Sequence, residues 1–379
     1  MLLIVLVTMV FATFALTMFI EKADNDLLVE IREADASRLR PEAYSALETT
    51  LGVLEDFRIV GNGLHSPAEG WSDPLGFAGY EPMQEGRTVE VTLEDESAKL
   101  PLATVKPQML IDLFKYWQVS QTDSERLTDA LMGWIKKDYV PTSVGAPRIE
   151  DYEATPLPFD PPGRSLRSFS ELSAIESVRQ AFFDENGLPN DLYRHFTETF
   201  SLYRYGQPNI NGNRLEPLLA QNIYDDQQQQ RVTEYLTGTG TYQMQGPGFF
   251  KSARTIAAVA GGQPAKLGYG TTVQALRIHV TVRDGRSSFV LSAVVAPQGG
   301  AKVVPASNVA STTATTTDKS GASTSTATDQ NAQPSKSQSA SPTTAVPTAI
   351  KLNYPFTFLE IRENDISVPI PVSPSTTGS

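Results

Sequence analysis

The chain contains no cysteine and only three histidines in 379 residues. The absence of cysteine excludes a disulfide framework, a cysteine-ligated zinc site and a thiol nucleophile. The histidines, His65, His195 and His279, are far apart and show no metal-ligand spacing. This disfavours a multi-histidine metal site and a Ser-His-Asp triad. The composition therefore offers no set of catalytic residues for an enzyme held at a membrane, which is one of the possible functions.

Basic residues are outnumbered by acidic ones. There are 31 Lys and Arg against 43 Asp and Glu, which gives a formal net charge of -12 at pH 7. Such a surface repels polyanions on average, so nucleic acid is not an expected partner. Hydrophobic residues still make up 40% of the chain, which is enough to form a core. The length predicts two to three structural units.

Charge is missing altogether from residues 1–20, MLLIVLVTMVFATFALTMFI. At 1.5 Å per residue a helix of this length reaches about 30 Å, the thickness of a bilayer core. A cleaved signal peptide is the alternative, but no basic segment precedes the apolar run and no small-x-small cleavage site follows it. Residues 1–20 are therefore predicted to be a transmembrane helix.

Residues 21–57 are predicted to continue this helix as an amphipathic segment. Pro41 is expected to kink or interrupt it. The membrane segment thus passes into a soluble helix with little or no linker. The apolar residues at helical spacing are Leu27, Leu28, Ile31, Ala34, Leu39, Ala43, Leu47, Leu51 and Leu54.

The rest of the chain alternates between strand and helix patterns. Residues 58–105 are predicted to form the first part of a sheet, with a strand in GRTVEVTLEDE. Residues 106–222 are predicted to form an inserted helical domain. Residues 223–298 complete the helical region and add a sheet hairpin with its turn at Asp284-Gly285.

The C-terminal part is low in large apolar residues until one last strand. Residues 299–349 are rich in Ser, Thr, Ala and Pro and are predicted to be disordered. A final strand is predicted at 350–366 and a disordered tail at 367–379. The sequence therefore predicts an α+β fold, in which a long N-terminal helix packs on an antiparallel sheet and an all-α domain is inserted between strands.

Several motifs, in order, resemble the K family of minor pseudopilins of type II (general) secretion systems. They are VEVTLEDESAKLPL, LTDALMGWIKKD, EDYEATPLPFDPPGRSLRSFSEL and FSLYRYGQPNINGNRLEPLLA. Together they extend from about residue 85 to 220. The resemblance implies a pilin-like fold and a non-catalytic, single-pass protein of the inner membrane with its globular part in the periplasm.

The resemblance also implies partners. Members of the family assemble with the I and J minor pseudopilins at the tip of the pseudopilus, contact other secretion-system components and help to engage secreted proteins. A prepilin peptidase is implied if a leader lies upstream, because the chain opens inside the apolar helix. The sequence also lacks a glutamate near the fifth position, as the K family does, and its Ser/Thr-rich insert departs from the family pattern.

A calcium ion is implied by the same resemblance, in the helical domain. Asp138, Glu150 and Asp151 lie at the matching positions and are the candidate ligands. Lys136 stands where the family has an aspartate, and Lys137 adds a second positive charge that disfavours a cation. Solvated loop carboxylates are the alternative interpretation.

Two further functions remain as alternatives. One is a minor pilin of a type IV pilus or of a DNA-uptake system. The other is a DNA-binding hairpin at NINGNRLEPLL, where Arg214 is the only basic residue. In that stretch Asn209 and Asn211 are expected to hydrogen-bond to nearby backbone in a turn.

Overall fold

The computed structural model describes residues 2–154, 158–214, 216–217, 220, 224–261, 268–305 and 354–364. The helices are α1 (Leu2–Gly61), α2 (Pro74–Ala78), α3 (Pro107–Tyr116), α4 (Gln121–Ile135), α5 (Ile149–Glu153), α6 (Glu176–Phe182), α7 (Asp191–Thr199), α8 (Asp226–Thr237) and α9 (Ala253–Ala260). The strands are β1 (Thr88–Asp95), β2 (Leu100–Pro101), β3 (Phe200–Ser201), β4 (Leu276–Asp284), β5 (Ser287–Pro297) and β6 (Phe356–Glu363).

Helix α1 is a single element of 60 residues that contains Pro41. The helix therefore continues through Pro41 without the interruption that was one of the two expected effects. Proline removes one backbone hydrogen bond, but Leu39 and Ala43 on either side are fully buried against the sheet. This tertiary packing stabilises the helix through the position, as it does for most helices in proteins.

The main sheet has four antiparallel strands in the order β1-β4-β5-β6. Strands β4 and β5 form the predicted hairpin, with Asp284 paired to Ser287 and Gly285 at φ 60° in the turn. The chain leaves the sheet after β1 and returns in its neighbour β4. Helices α3–α9 therefore lie in an insertion between adjacent strands, which confirms the predicted fold class.

The last strand is also confirmed, because β6 pairs with β5 along the edge of the sheet. Residues 306–349 of the predicted disordered segment and all of the predicted tail, 367–379, lie outside the described residues. The prediction of disorder is wrong just before them. Lys302 exchanges two backbone hydrogen bonds with Arg204. Ala301 and Val304 are buried, and Ala301 packs in an apolar cluster with Val294 and Ala296 of β5.

Two large apolar cores are separate. One lies between α1 and the sheet and the other lies inside the helical insertion, whose helices α3, α4, α6 and α7 surround it. The first core includes Leu39, Leu47, Leu54, Trp71, Ile278, Val280, Phe289 and Leu291. The second includes Leu110, Phe114, Leu131, Trp134, Phe182, Phe196 and Phe200.

Candidate functional site

The first half of α1 is long and apolar enough to cross a membrane. The candidate span is Ile4–Leu27, 24 residues with a mean hydropathy of 2.2 and none of it buried in the protein. The second half of the same helix packs on β4 and β5. The span and the folded core are therefore one continuous element, and this part of the chain fits a single-pass anchor.

The sheet and the helical insertion meet at Asn209. Its backbone N–H donates to the carbonyl of Ser97 at 2.7 Å. Its side-chain Nδ2 donates to Asp95 Oδ2 at 2.7 Å and to the carbonyl of His65 at 2.9 Å. Asn209 also accepts the N–H of Asn211 at 3.2 Å, so the expected local turn is present. The long-range bonds were not expected, and they join three distant segments.

Asn211, which is 7% exposed, makes a second set of such bonds. Its Nδ2 donates to the carbonyls of Phe250 at 3.0 Å and Thr271 at 2.9 Å. Its Oδ1 accepts the N–H of Phe250 at 2.7 Å. The side chain thus pairs with Phe250 as a neighbouring backbone would. The next residue, Gly212, packs so closely on Ala98 that a side chain there would collide with it.

Charged groups surround this junction. Lys99 Nζ lies 3.1 Å from both Glu94 Oε1 and Glu96 Oε2, and Arg277 Nε lies 3.4 Å from Glu96 Oε2. Arg214 Nη2 lies 2.6 Å from Glu94 Oε1. Arg214, the basic residue of the hairpin-like stretch, is therefore engaged inside the protein.

Two neighbouring carboxyl groups in the junction have opposite pKa shifts. Burial raises the pKa of Asp95 to about 6, against the hydrogen bonds from Ser97 and Asn209. Burial also acts to raise the pKa of Glu96, but Lys99 and Arg277 outweigh it and lower the value to about 2. Glu96 is therefore held charged, whereas Asp95 takes up a proton under mildly acidic conditions.

These shifts predict a pH dependence of stability. Between about pH 4 and 6 folded Asp95 holds a proton that unfolded Asp95 has lost, so the free energy of unfolding falls as pH rises through this window. The contribution of Glu96 is present above about pH 4.5 and is lost as pH falls towards 2. The free energy of unfolding of Asp95→Asn and of the parent can be measured by chemical unfolding from pH 4 to 7. It should fall less with rising pH in the variant, and the two falls should differ by up to about 3 kcal/mol. Equal falls in the two proteins would contradict the role of Asp95.

The candidate calcium ligands are not gathered at one point. Asp138, Glu150 and Asp151 are all exposed. Asp151 Oδ2 accepts the backbone N–H of Arg148 at 2.7 Å and so caps the start of α5. In the part of the chain that the structure describes, no group of three or more His, Asp or Glu side chains could hold a metal ion. The donor set does not fit the six to eight oxygens that calcium takes.

The three histidines have structural surroundings. His279 lies in β4 opposite Thr92. His65 Nδ1 lies 2.9 Å from Glu69 Oε1, and His195 stacks on Trp117. Each of the three rings thus has its own local surroundings.

A long helix on an antiparallel sheet, with a membrane-length apolar first half, defines a pilin-like protein. The family described as Type II secretion system (T2SS), protein K, matches residues 92–185, from the second half of β1 to the end of α6. The resemblance drawn from the sequence is thereby confirmed over this part of the chain. Over these residues the chain is similar to a component of a type II secretion system.

Among solved structures the chain is similar to one chain of the GspK-GspI-GspJ complex from the enterotoxigenic Escherichia coli type 2 secretion system. The two share 17% identity with a TM-score of 0.47, and the match covers 72% of this chain and 94% of that chain. At this distance the likeness does not place individual residues. The comparison with curated proteins finds no match.

Proposed function

We propose that this chain is a minor pseudopilin that caps the tip of a type II secretion pseudopilus. It would assemble with the I and J minor pseudopilins, help to initiate the pseudopilus and support export of proteins across the outer membrane. The family match over residues 92–185 is the observation that supports this most. The role is one of assembly, without catalysis.

The architecture supports the same proposal. Because α1 is continuous from the apolar span into the core, the globular part is held close to the helix that would enter the membrane or the filament. The helical insertion adds a second body beside the sheet. We infer that its bulk blocks the addition of further subunits above this one, and that the globular part faces the periplasm.

Co-purification tests the proposal. The full chain, in detergent, is co-expressed with the I and J minor pseudopilins of the same organism, and affinity capture of this chain should recover both in a stable complex. The major pseudopilin serves as the matched control and should not be recovered with it as a discrete complex. Capture of type IV minor pilins in place of I and J would favour the alternative function, and recovery of neither set would contradict the proposal.

A further inference from the structure

The loop between α4 and α5 is held by one buried carboxylate. Asp129 of α4 is 5% exposed. Its Oδ2 accepts the backbone N–H groups of Thr142 at 2.7 Å and Ser143 at 2.6 Å. Its Oδ1 accepts the hydroxyl of Tyr139 at 2.5 Å. The Thr142 hydroxyl also donates to Oδ2, at 3.3 Å. Two backbone amides and two side-chain hydroxyls from the loop therefore converge on a single group of the preceding helix.

The electrostatics of Asp129 agree with this geometry. Burial opposes its charge, but the hydrogen bonds from Tyr139, Ser143 and Thr142 outweigh burial and hold the pKa of Asp129 below its usual value. Charge-assisted hydrogen bonds of this kind are the strong ones. Conversely, burial and the carboxylate raise the pKa of the Tyr139 hydroxyl, so it stays a donor.

The loop lies where the resemblance implies a divalent cation. A bound cation would tie the loop to α5 through Asp138, Glu150 and Asp151. Instead, Asp151 is used to cap α5, and Lys136 stands at the end of α4. The carboxylate of Asp129 already accepts the N–H groups of Thr142 and Ser143 and so orders the loop segment that a metal ion would otherwise order.

We propose that Asp129 holds residues 136–147 in place of a divalent cation, so that the helical insertion of this chain folds independently of metal. The loop is ordered by hydrogen bonds from its own N–H and O–H groups to this carboxylate. The proposal concerns the insertion alone and stands whether or not the chain assembles with I and J.

Hydrogen exchange measured by mass spectrometry on the full chain in detergent tests the proposal. The peptide that contains Thr142 and Ser143 should exchange equally fast in excess EGTA and in excess CaCl2. In Asp129→Asn it should exchange at least about tenfold faster, because the charged acceptor of both amides is lost. Asp138→Asn is the matched control and should leave the exchange unchanged.

Tyr139→Phe covers the case in which Asp129→Asn does not fold. It removes only one of the donors to Asp129 and should raise the exchange rate of the same peptide by a smaller factor. Faster exchange or a lower Tm in EGTA would overturn the proposal, as would protection that depends on Asp138. Unchanged exchange in both Asp129→Asn and Tyr139→Phe would also overturn it.

Discussion

Replacing Glu42 by alanine is expected to lower the Tm of the globular part by roughly 10 °C. Glu42 is fully buried on the sheet-facing side of α1. Its Oε2 lies 3.0 Å from Arg87 Nη1, and its Oε1 accepts the hydroxyl of Tyr80 at 3.0 Å and the N–H of Met83 at 2.8 Å. The substitution leaves a buried guanidinium and two further donors without this acceptor, and such a loss costs far more than an intact pair contributes.

The effect should be specific to that position. Glu48→Ala changes the same residue type on the same helix. Because Glu48 is exposed, the Tm of this variant should stay close to that of the parent. Arg87 also contacts Asp284 at 3.1 Å, so Glu42→Ala combined with Arg87→Met should be less destabilising than the two single changes added together. The Tm of each variant can be measured by circular dichroism in detergent. Equal Tm values for Glu42→Ala and Glu48→Ala would contradict the stabilising role of Glu42.

Glu42 also shows how far the sequence could predict the first half of the fold. The apolar stripe of α1 predicts which face packs on the sheet, and Leu39, Ala43 and Leu47 are indeed buried there. Glu42 falls on the same face by helical spacing, and this is a readable signal of a buried charge. Its partner Arg87 is 45 residues away, and no local pattern indicates that pairing.

The helical insertion was predicted from local patterns, and these worked where the structure depends on nearby residues. Ser168 and Glu171 form a capping box, and Asn190 caps α7, all through residues close in sequence. The junction could not be predicted in the same way. Asp95, Asn209 and Asn211 read as ordinary turn and strand-end residues, because their importance comes from segments that only the tertiary fold brings near.

The predicted calcium ligands failed to converge for a related reason. The motif positions indicate which carboxylates could bind calcium, and these three, Asp138, Glu150 and Asp151, are exposed. They do not reveal that Asp129, five residues before Trp134, is buried and accepts two backbone N–H groups of the loop. A polar residue on the buried face of α4 was the signal that could have identified it.

Asn211→Ala is expected to destabilise the protein by about 3 kcal/mol or more. The side chain pairs with both backbone groups of Phe250 and with the carbonyl of Thr271. Each buried group left without a partner costs about 1–3 kcal/mol. Because these contacts join the helical insertion to the segment that re-enters the sheet, exchange of the Phe250 amide should rise in parallel with the loss in the free energy of unfolding.

Two further variants separate this hydrogen bonding from a general effect of the substitution. Asn186→Ala removes an exposed asparagine of the same insertion and should leave stability within about 0.5 kcal/mol of the parent. Asn211→Asp keeps an acceptor for the N–H of Phe250 but turns a carboxylate oxygen towards the carbonyls of Phe250 and Thr271. It should therefore be at least as destabilising as alanine at neutral pH. Both N–H donors are lost, and the negative carboxylate oxygen repels the two carbonyl oxygens. If urea unfolding shows Asn211→Asp to be as stable as the parent, Asn211 does not hold the junction through these two donated bonds.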